Sequence, residues 1–512
     1  MQEKEDIAGL IKSMSKSEKR YFKLIVLKNI RGKSSHYIKL FDLIDKTGSA
    51  EKKVIQKLYR DENFMKKGFS VYKTWLYEQI LKSLRSYHSK RNVDDKIMEL
   101  IRDAKILYDK TLYPDAGKAL KKAKSLACKY EKHTLLPEII RWQKKILNTW
   151  SIYGKTSEND IIRLFEEEKL SGHKMDNINE YWKQRALLFL SYRINGMIRA
   201  EEDIDRYHAF INVPILKNEK LALSYEAKIG FYGINAFYFS AVNNMEESYN
   251  HNKKRVALME AHPHLIEDDP ANYSNAFHNL LISTKGLDRY KEFFNMISRV
   301  KSFLRKFQLR SSVLLRICVL EFETYLEIGQ FKKATLLLPE VEGVFTELTN
   351  KDEMLELFFN MNKAILYFGN KDYNKALAYL NVVMNDNRTN LRQDIYSFAR
   401  IFQLIIHFEK ENRDLLPYLV KSVYRYLMQR KQLHKVEDHL IRFIRIKLSK
   451  INTKSDQTEA FKALKEELVE ICNDSMEAIF LELFDFVSWL ESKIENRPFE
   501  EILQEKSGYV LI

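Results

Sequence analysis

Five stretches of this chain repeat one shape: a tight polar turn, a large anchor residue, and a small or apolar residue three positions on. They read TLYPDAGKALKKA (Thr111–Ala123), GLDRYKEFFNMI (Gly286–Ile297), GQFKKATLLL (Gly329–Leu338), NKDYNKALAYL (Asn370–Leu380) and, more weakly, NRDLLPYLVKSV (Asn412–Val423). The anchors are Tyr113, Tyr290, Phe331, Tyr373 and Leu415, and the last three steps are 41, 42 and 42 residues. A fainter unit anchors at Met245, 45 residues before Tyr290. Helical periodicity flanks each turn. A fixed step of this size describes helical hairpins that cannot bury their apolar faces alone and must stack on their neighbours.

Composition points the same way. Only 15 Gly and 8 Pro occur in 512 residues. These residues punctuate turns, so their scarcity favours long helices with short connections. No segment alternates apolar and polar residues between regular turn signals, and no sheet is expected. Near the amino terminus, Ser15-Lys-Ser-Glu18 reads as a capping box, in which each residue satisfies the other's end of the first turn. Phe22, Ile25 and Ile30 follow at helical spacing, with Tyr21 and Leu24 beside them. Further helices are expected over His36–Asp45, Ala50–Tyr59 and Phe69–Ser89.

The repeated unit resembles the tetratricopeptide repeat, whose second half runs roughly G-x-Y-x-x-A-x-x-x-F/L. Asn370–Leu380 is the best copy, with Asp372-Tyr373 at the turn, Ala376 three on and Leu380 beyond, and with Ala364 and Tyr367 in the preceding helix. Tyr113, Ala116, Leu120 and Ala123, preceded by Ala104, match similarly. The small residue lets the two helices approach, and the aromatic fills the gap to the next hairpin. The step here is about eight residues longer than the family's 34, and the family's Trp is absent. The resemblance covers about residues 96–430. The whole chain is also similar to uncharacterised helical-repeat proteins of Bacteroidota-type bacteria, a likeness that implies no activity.

The resemblance implies an all-α fold: a right-handed superhelix of hairpins over residues 96–450, between a helical head (1–95) and capping helices (451–512). Charge divides along the same lines. Residues 1–150 hold 35 basic and 18 acidic side chains, a balance of +17, whereas the chain as a whole stands at +15. From 455 to 512 there are 5 basic and 14 acidic residues. The basic head suits nucleic acid, anionic lipid or an acidic protein surface. Its candidate contacts with an anionic partner are Lys16, Lys19, Arg20, Lys23, Lys28, Arg31, Lys33, Lys66, Lys67, Lys82, Arg85, Lys90 and Arg91. Tyr21, Phe22, Tyr37, Tyr72, Trp75 and Tyr87 are interleaved with them, as a phosphate-binding, base-stacking surface requires. Phe22 and Trp75, however, fall on the apolar side of their helices. Further basic tracts run over Lys118–Lys132 and Lys421–Lys450.

Catalytic patterns are lacking. No phosphate-cradling Gly-rich loop, HExxH or GxSxG occurs, and no catalytic residue, cofactor or metal site is expected. His262-Pro-His264, followed by Glu267, Asp268 and Asp269, has metal-binding side chains without a third ligand at a fixed helical distance, and reads as a connection between repeats. Glu466-Glu467 and Glu500-Glu501 read as solvated faces. Cys128, Cys318 and Cys472 are too few and too scattered for a disulfide framework and read as small buried hydrophobes. The charged amino terminus lacks the apolar core of a signal peptide, and no stretch is apolar enough to span a bilayer, so a cytoplasmic location is expected. The family resemblance implies that the first helix of each hairpin lines a groove, which aligns Asn275, His278, Arg316 and Glu323 as groove residues. The expected role is a non-enzymatic scaffold or adaptor for a protein or peptide partner. The alternative is a regulator whose basic head contacts RNA or DNA.

Overall fold

A computed structural model describes residues 6–29, 34–58, 69–88, 92–152, 156–195, 207–208, 210–307, 312–347, 353–386, 393–412, 414–430, 433–447, 454–474, 477 and 479–509. These residues form helices and their connections, with no strand among them. None of the described helices is long and apolar enough to cross a membrane. The chain divides into two compact units, residues 1–175 and 176–512.

The first unit begins with α1 (Ile7–Ser13), α2 (Lys16–Asn29), α3 (Ser34–Thr47), α4 (Lys52–Leu58) and α5 (Phe69–His88). The capping box forms as the sequence predicts. Glu18 Oε2 accepts from the Ser15 amide at 2.6 Å, and Ser15 Oγ accepts from the Glu18 amide at 3.3 Å. Phe22, Val26, Leu40, Phe41, Ile44, Leu76 and Ile80 close a core beneath these helices. Trp75 packs at its margin, 3.7 Å from Tyr37 between ring centroids. The hairpin of α6 (Val93–Asp109) and α7 (Tyr113–Lys129) and the helix α8 (Leu136–Ile152) follow. Ala116, Ala119, Ala123 and Ala127 are buried along α7, the close approach that small residues permit. The unit ends within α9 (Glu158–Asn195).

The second unit continues through α10 (Pro214–Lys217) into successive hairpins. They are α11 (Tyr225–Ala241) with α12 (Met245–Glu260), then, after the short α13 (Pro263–Asp268), α14 (Pro270–Lys285) with α15 (Tyr290–Lys306). Next come α16 (Ser312–Glu327) with α17 (Phe331–Glu347), α18 (Glu353–Gly369) with α19 (Tyr373–Met384), and α20 (Gln393–Glu409) with α21 (Leu416–Gln429). Each hairpin packs against the next. The sequence anchors Tyr113, Met245, Tyr290, Phe331 and Tyr373 are each the first residue of a second helix, and Leu415 caps α21.

One turn recurs in all these hairpins. Thr111, Asn243, Asp288, Gly329, Lys371 and Glu411 adopt left-handed backbone, with φ between 56° and 70°. The amide of the next residue then reaches back to a carbonyl in the helix just ended: Leu112 to Leu107 at 2.8 Å, Gln330 to Tyr325 at 2.7 Å and Asp372 to Tyr367 at 2.8 Å. This paired closure of the helix end reverses the chain within a few residues and satisfies carbonyls that would otherwise lack partners. Phe331, 1% exposed, then seats against Gly369 of the following hairpin, where a Cβ would stand 2.5 Å from its ring.

The carboxy-terminal elements are α22 (Lys435–Arg442, prolonged by a π-helical turn to Lys447), α23 (Lys454–Ile471), α24 (Phe486–Ile494) and α25 (Phe499–Ser507). Residues 480–509 run back along the hairpins. Trp489 Nε1 donates to Glu409 at 2.7 Å, Phe484 packs on Phe402 and Phe368, and Phe499 packs near Phe331. Gln504 Nε2 donates to the Gly329 carbonyl at 2.9 Å, and Tyr509 lies on Phe294. At Gly329 a Cβ would sit 2.6 Å from the Glu500 carbonyl, on backbone with φ +70°. Gly329→Ala is therefore expected to cost about 2–4 kcal/mol, combining left-handed strain with overpacking. Gly343→Ala, with open space around it inside α17, should stabilise by about 0.5–1 kcal/mol. Urea unfolding of the two variants checks both signs.

Candidate partner-binding face

The hairpin step places α14 and α16 side by side as first helices, and four sequence-selected residues meet there. Arg316 Nη2 donates to Asn275 Oδ1 at 2.5 Å. His278 stands one turn further along α14, within the electrostatic reach of Arg316 and Glu323. Glu323 accepts from Lys285 Nζ at 2.6 Å, and Glu327 completes that pair at 2.8 Å. All four selected residues are half-buried.

Electrostatics give the patch a defined protonation state. Burial, reinforced by the Arg316 charge, pushes the His278 imidazole down to about 4. Burial works against the Lys285 ammonium, but Glu323 and Glu327 outweigh it and raise its pKa. Near neutrality the patch thus presents a neutral imidazole, a carboxamide, a guanidinium and a lysine clamped by two carboxylates. Such a surface offers directional donors and acceptors to a polypeptide.

The corresponding surface of α20 is covered. From Ile395 to Phe402 every residue but Arg400 is buried. Phe398 packs on Phe480 and Phe486, Phe408 on Trp489, and Lys493 pairs with Glu409 at 2.6 Å. The chain's own carboxy-terminal segment occupies that side.

In the head, Lys16, Arg20, Lys82 and Arg85 are exposed. Lys19 pairs with Asp45 at 2.5 Å and Lys23 with Asp42 at 2.6 Å, so these two are engaged within the fold. The side chain of Lys28, and Arg31, Lys33, Lys66, Lys67, Lys90 and Arg91, lie outside the described residues. Leu24 and Leu27 are more than half exposed on the same side of α2 as Lys16 and Arg20. The tract from Lys118 is partly neutralised: Lys118 pairs with Asp115, Lys124 with Glu167 and Lys132 with Asp94.

His262 and His264 flank Pro263 at the start of α13 rather than lying in an open loop, and Asp269 caps α14 by accepting from the Asn272 amide at 3.1 Å. No three His, Cys, Asp or Glu side chains converge on a metal-sized site among the described residues. Cys318 is buried and its thiol pushed up to about 12 by that burial. Cys472 is half-buried, and Cys128 is exposed, contrary to its reading as a core residue, because Ala127 takes the inward position on α7. Sequence reasoning also missed the buried cations Arg255 and Lys363 and the half-buried, ion-paired Lys301, which look like ordinary surface charges in one dimension. No protein-family model matches the chain, and no curated protein resembles it in sequence.

His278 provides a pH test. The unfolded chain takes up a proton near pH 6.5 and the folded His278 only near 4, so its contribution to stability is present above pH 6.5 and is lost as pH falls through that interval. Between pH 7 and 4 this loss should amount to about 3 kcal/mol. His278→Gln should flatten that part of the profile, as read by urea unfolding at a series of pH values.

Proposed function

We propose that this protein is a non-enzymatic scaffold or adaptor that holds a protein or peptide partner on the first-helix face of tetratricopeptide-like hairpins. The supporting observation is the contrast between two equivalent faces. On α20 that side takes up an aromatic-rich, largely helical segment, the chain's own residues 480–494. On α14 and α16 the same side carries half-buried polar residues held in fixed positions by hydrogen bonds. A surface family that already binds polypeptide in cis is suited to bind it in trans, and preorganised side chains lower the entropic cost of doing so. The partner would lie along Asn275, His278, Arg316 and Glu323.

A second reading, contact of the head with RNA or DNA, is favoured by the exposed cationic side chains Lys16, Arg20, Lys82 and Arg85. It requires affinity that falls steeply with salt.

Photo-cross-linking separates the two. A photoreactive residue at position 275 or 278 is expected to capture a polypeptide partner in cells, and Arg316→Glu should reduce capture about tenfold or more without lowering the melting temperature. Absence of cross-links from α14 and α16, together with salt-dependent retention of nucleic acid that Lys16→Glu and Arg20→Glu abolish, would reverse the order of the two readings.

A further inference from the structure

Arg255 leaves solvent with no carboxylate to meet it among the described residues. It projects from α12 between α11 and α14 and is 8% exposed. Gly233 of α11 makes the space: a Cβ there would stand 3.2 Å from Nη1 and 3.3 Å from Cζ. Nη2 lies 3.4 Å from Asn272 Oδ1, a long contact, and Nε is buried without a partner among the described residues. Arg185, on the part of α9 in the same unit, adds a second positive charge. With burial it lowers the Arg255 pKa to about 10, against a smaller opposing effect of Tyr225. The carboxylate of Asp269 caps α14 through Oδ1. Buried Lys363 and half-buried Lys285 and Lys301 differ: Lys285 has Glu323 and Glu327, Lys301 has Glu321 at 2.6 Å, and Lys363 has Glu342 at 3.5 Å.

An uncompensated buried guanidinium opposes folding by several kcal/mol. Donation from Nη2 to the neutral Asn272 carboxamide oxygen does not neutralise it. Nε is the nitrogen without a partner among the described residues; once Nη2 leaves its long contact with Asn272, the Nε–Nη2 edge offers two parallel N–H groups that match two oxygens of a carboxylate or phosphate. We propose that Arg255, with Arg185 and Asn272, forms a binding site for an oxyanion, the carboxylate or phosphate group of an incoming ligand. The two arginines supply the charge, the Arg255 edge the bidentate contact, and the Asn272 carboxamide, released from Nη2, a donor from Nδ2. Asn272 and Asn275 stand one turn apart on α14, so a polypeptide lying on Asn275 and Arg316 can place an acidic side chain on Arg255. In that form the inference rests on the partner-face reading and names the partner as acidic.

The test is calorimetric titration of the full chain with inorganic phosphate and, separately, with hexaglutamate, against chloride at matched ionic strength. Binding of at least one probe is expected. Arg255→Gln should weaken it about tenfold or more. Arg185→Ala, a change at an exposed position, should weaken it about threefold. Arg255→Lys keeps the charge but loses the fork, and should fall between wild type and Arg255→Gln. Hexaglutamate binding that is also weakened by Arg316→Ala identifies an acidic polypeptide as the source of the oxyanion. Phosphate binding indifferent to Arg316→Ala identifies a free anion, and the site then stands even if position 275 captures no partner. The proposal is overturned if neither probe binds beyond chloride, or if the Arg185 and Arg255 variants bind both probes as the wild type does. A partner captured at position 275 equally well by Arg255→Gln would overturn the acidic-partner form of the proposal while leaving the partner face intact.

Discussion

The left-handed turn between the two helices of each hairpin is the constraint on which the rest of the structure depends. It closes the first helix with a backreaching amide, such as that of Gln330 on Tyr325, and starts the second within a few residues. Because the turn is so short, the residue that opens the second helix is aimed at the seam with the neighbouring hairpin. Phe331 and Tyr290 are buried there. Three residues on, Ala334 and Phe293 lie fully buried against the first helix. Where the left-handed position is Thr111, Asp288, Lys371 or Glu411 rather than glycine, the backbone costs about 1–2 kcal/mol. The turn's own hydrogen bonds and the burial of the anchor offset it.

That geometry also explains how the carboxy-terminal segment is held. Repeated turns present a row of ends, and residues 480–509 follow it from Glu409 past Phe368 to Gly329 and Phe294. Phe486 and Trp489 are each at most 1% exposed, and burial of such side chains contributes about 1.5–3 kcal/mol apiece. The segment is therefore part of the core. On α14 and α16 that side carries half-buried polar residues instead, next to a buried arginine with no carboxylate partner among the described residues.

Much of this was legible in sequence, for reasons that individual residues make plain. The anchors were legible because their role is local: each begins a helix, and each repeats at a nearly fixed step. Ser15 and Glu18 were legible because a capping box is complete within four residues. The turns were less so. Gly286 invites assignment as the left-handed residue, yet it keeps right-handed backbone with φ −64°, and Asp288 takes the positive φ. Gly329 alone among the hairpin turns carries the expected glycine. Asn275, His278, Arg316 and Glu323 could be aligned by the repeat and do lie together, but their hydrogen bonds and the depressed basicity of His278 come from packing between helices some forty residues apart. Arg255 carried no signal. Its placement depends on a glycine of another helix, Gly233.

Sequence by itself determined that this chain is helical, where its hairpins turn, and which side chains anchor one hairpin on the next. These follow from periodicity and short-range hydrogen bonding, which act over a few residues. Tertiary structure decided which charges meet. Lys19 and Lys23 find Asp45 and Asp42, Lys285 finds two glutamates, and Arg255 finds none among the described residues. Electrostatic partnership depends on distance and burial in three dimensions, and neither is written in the order of the residues.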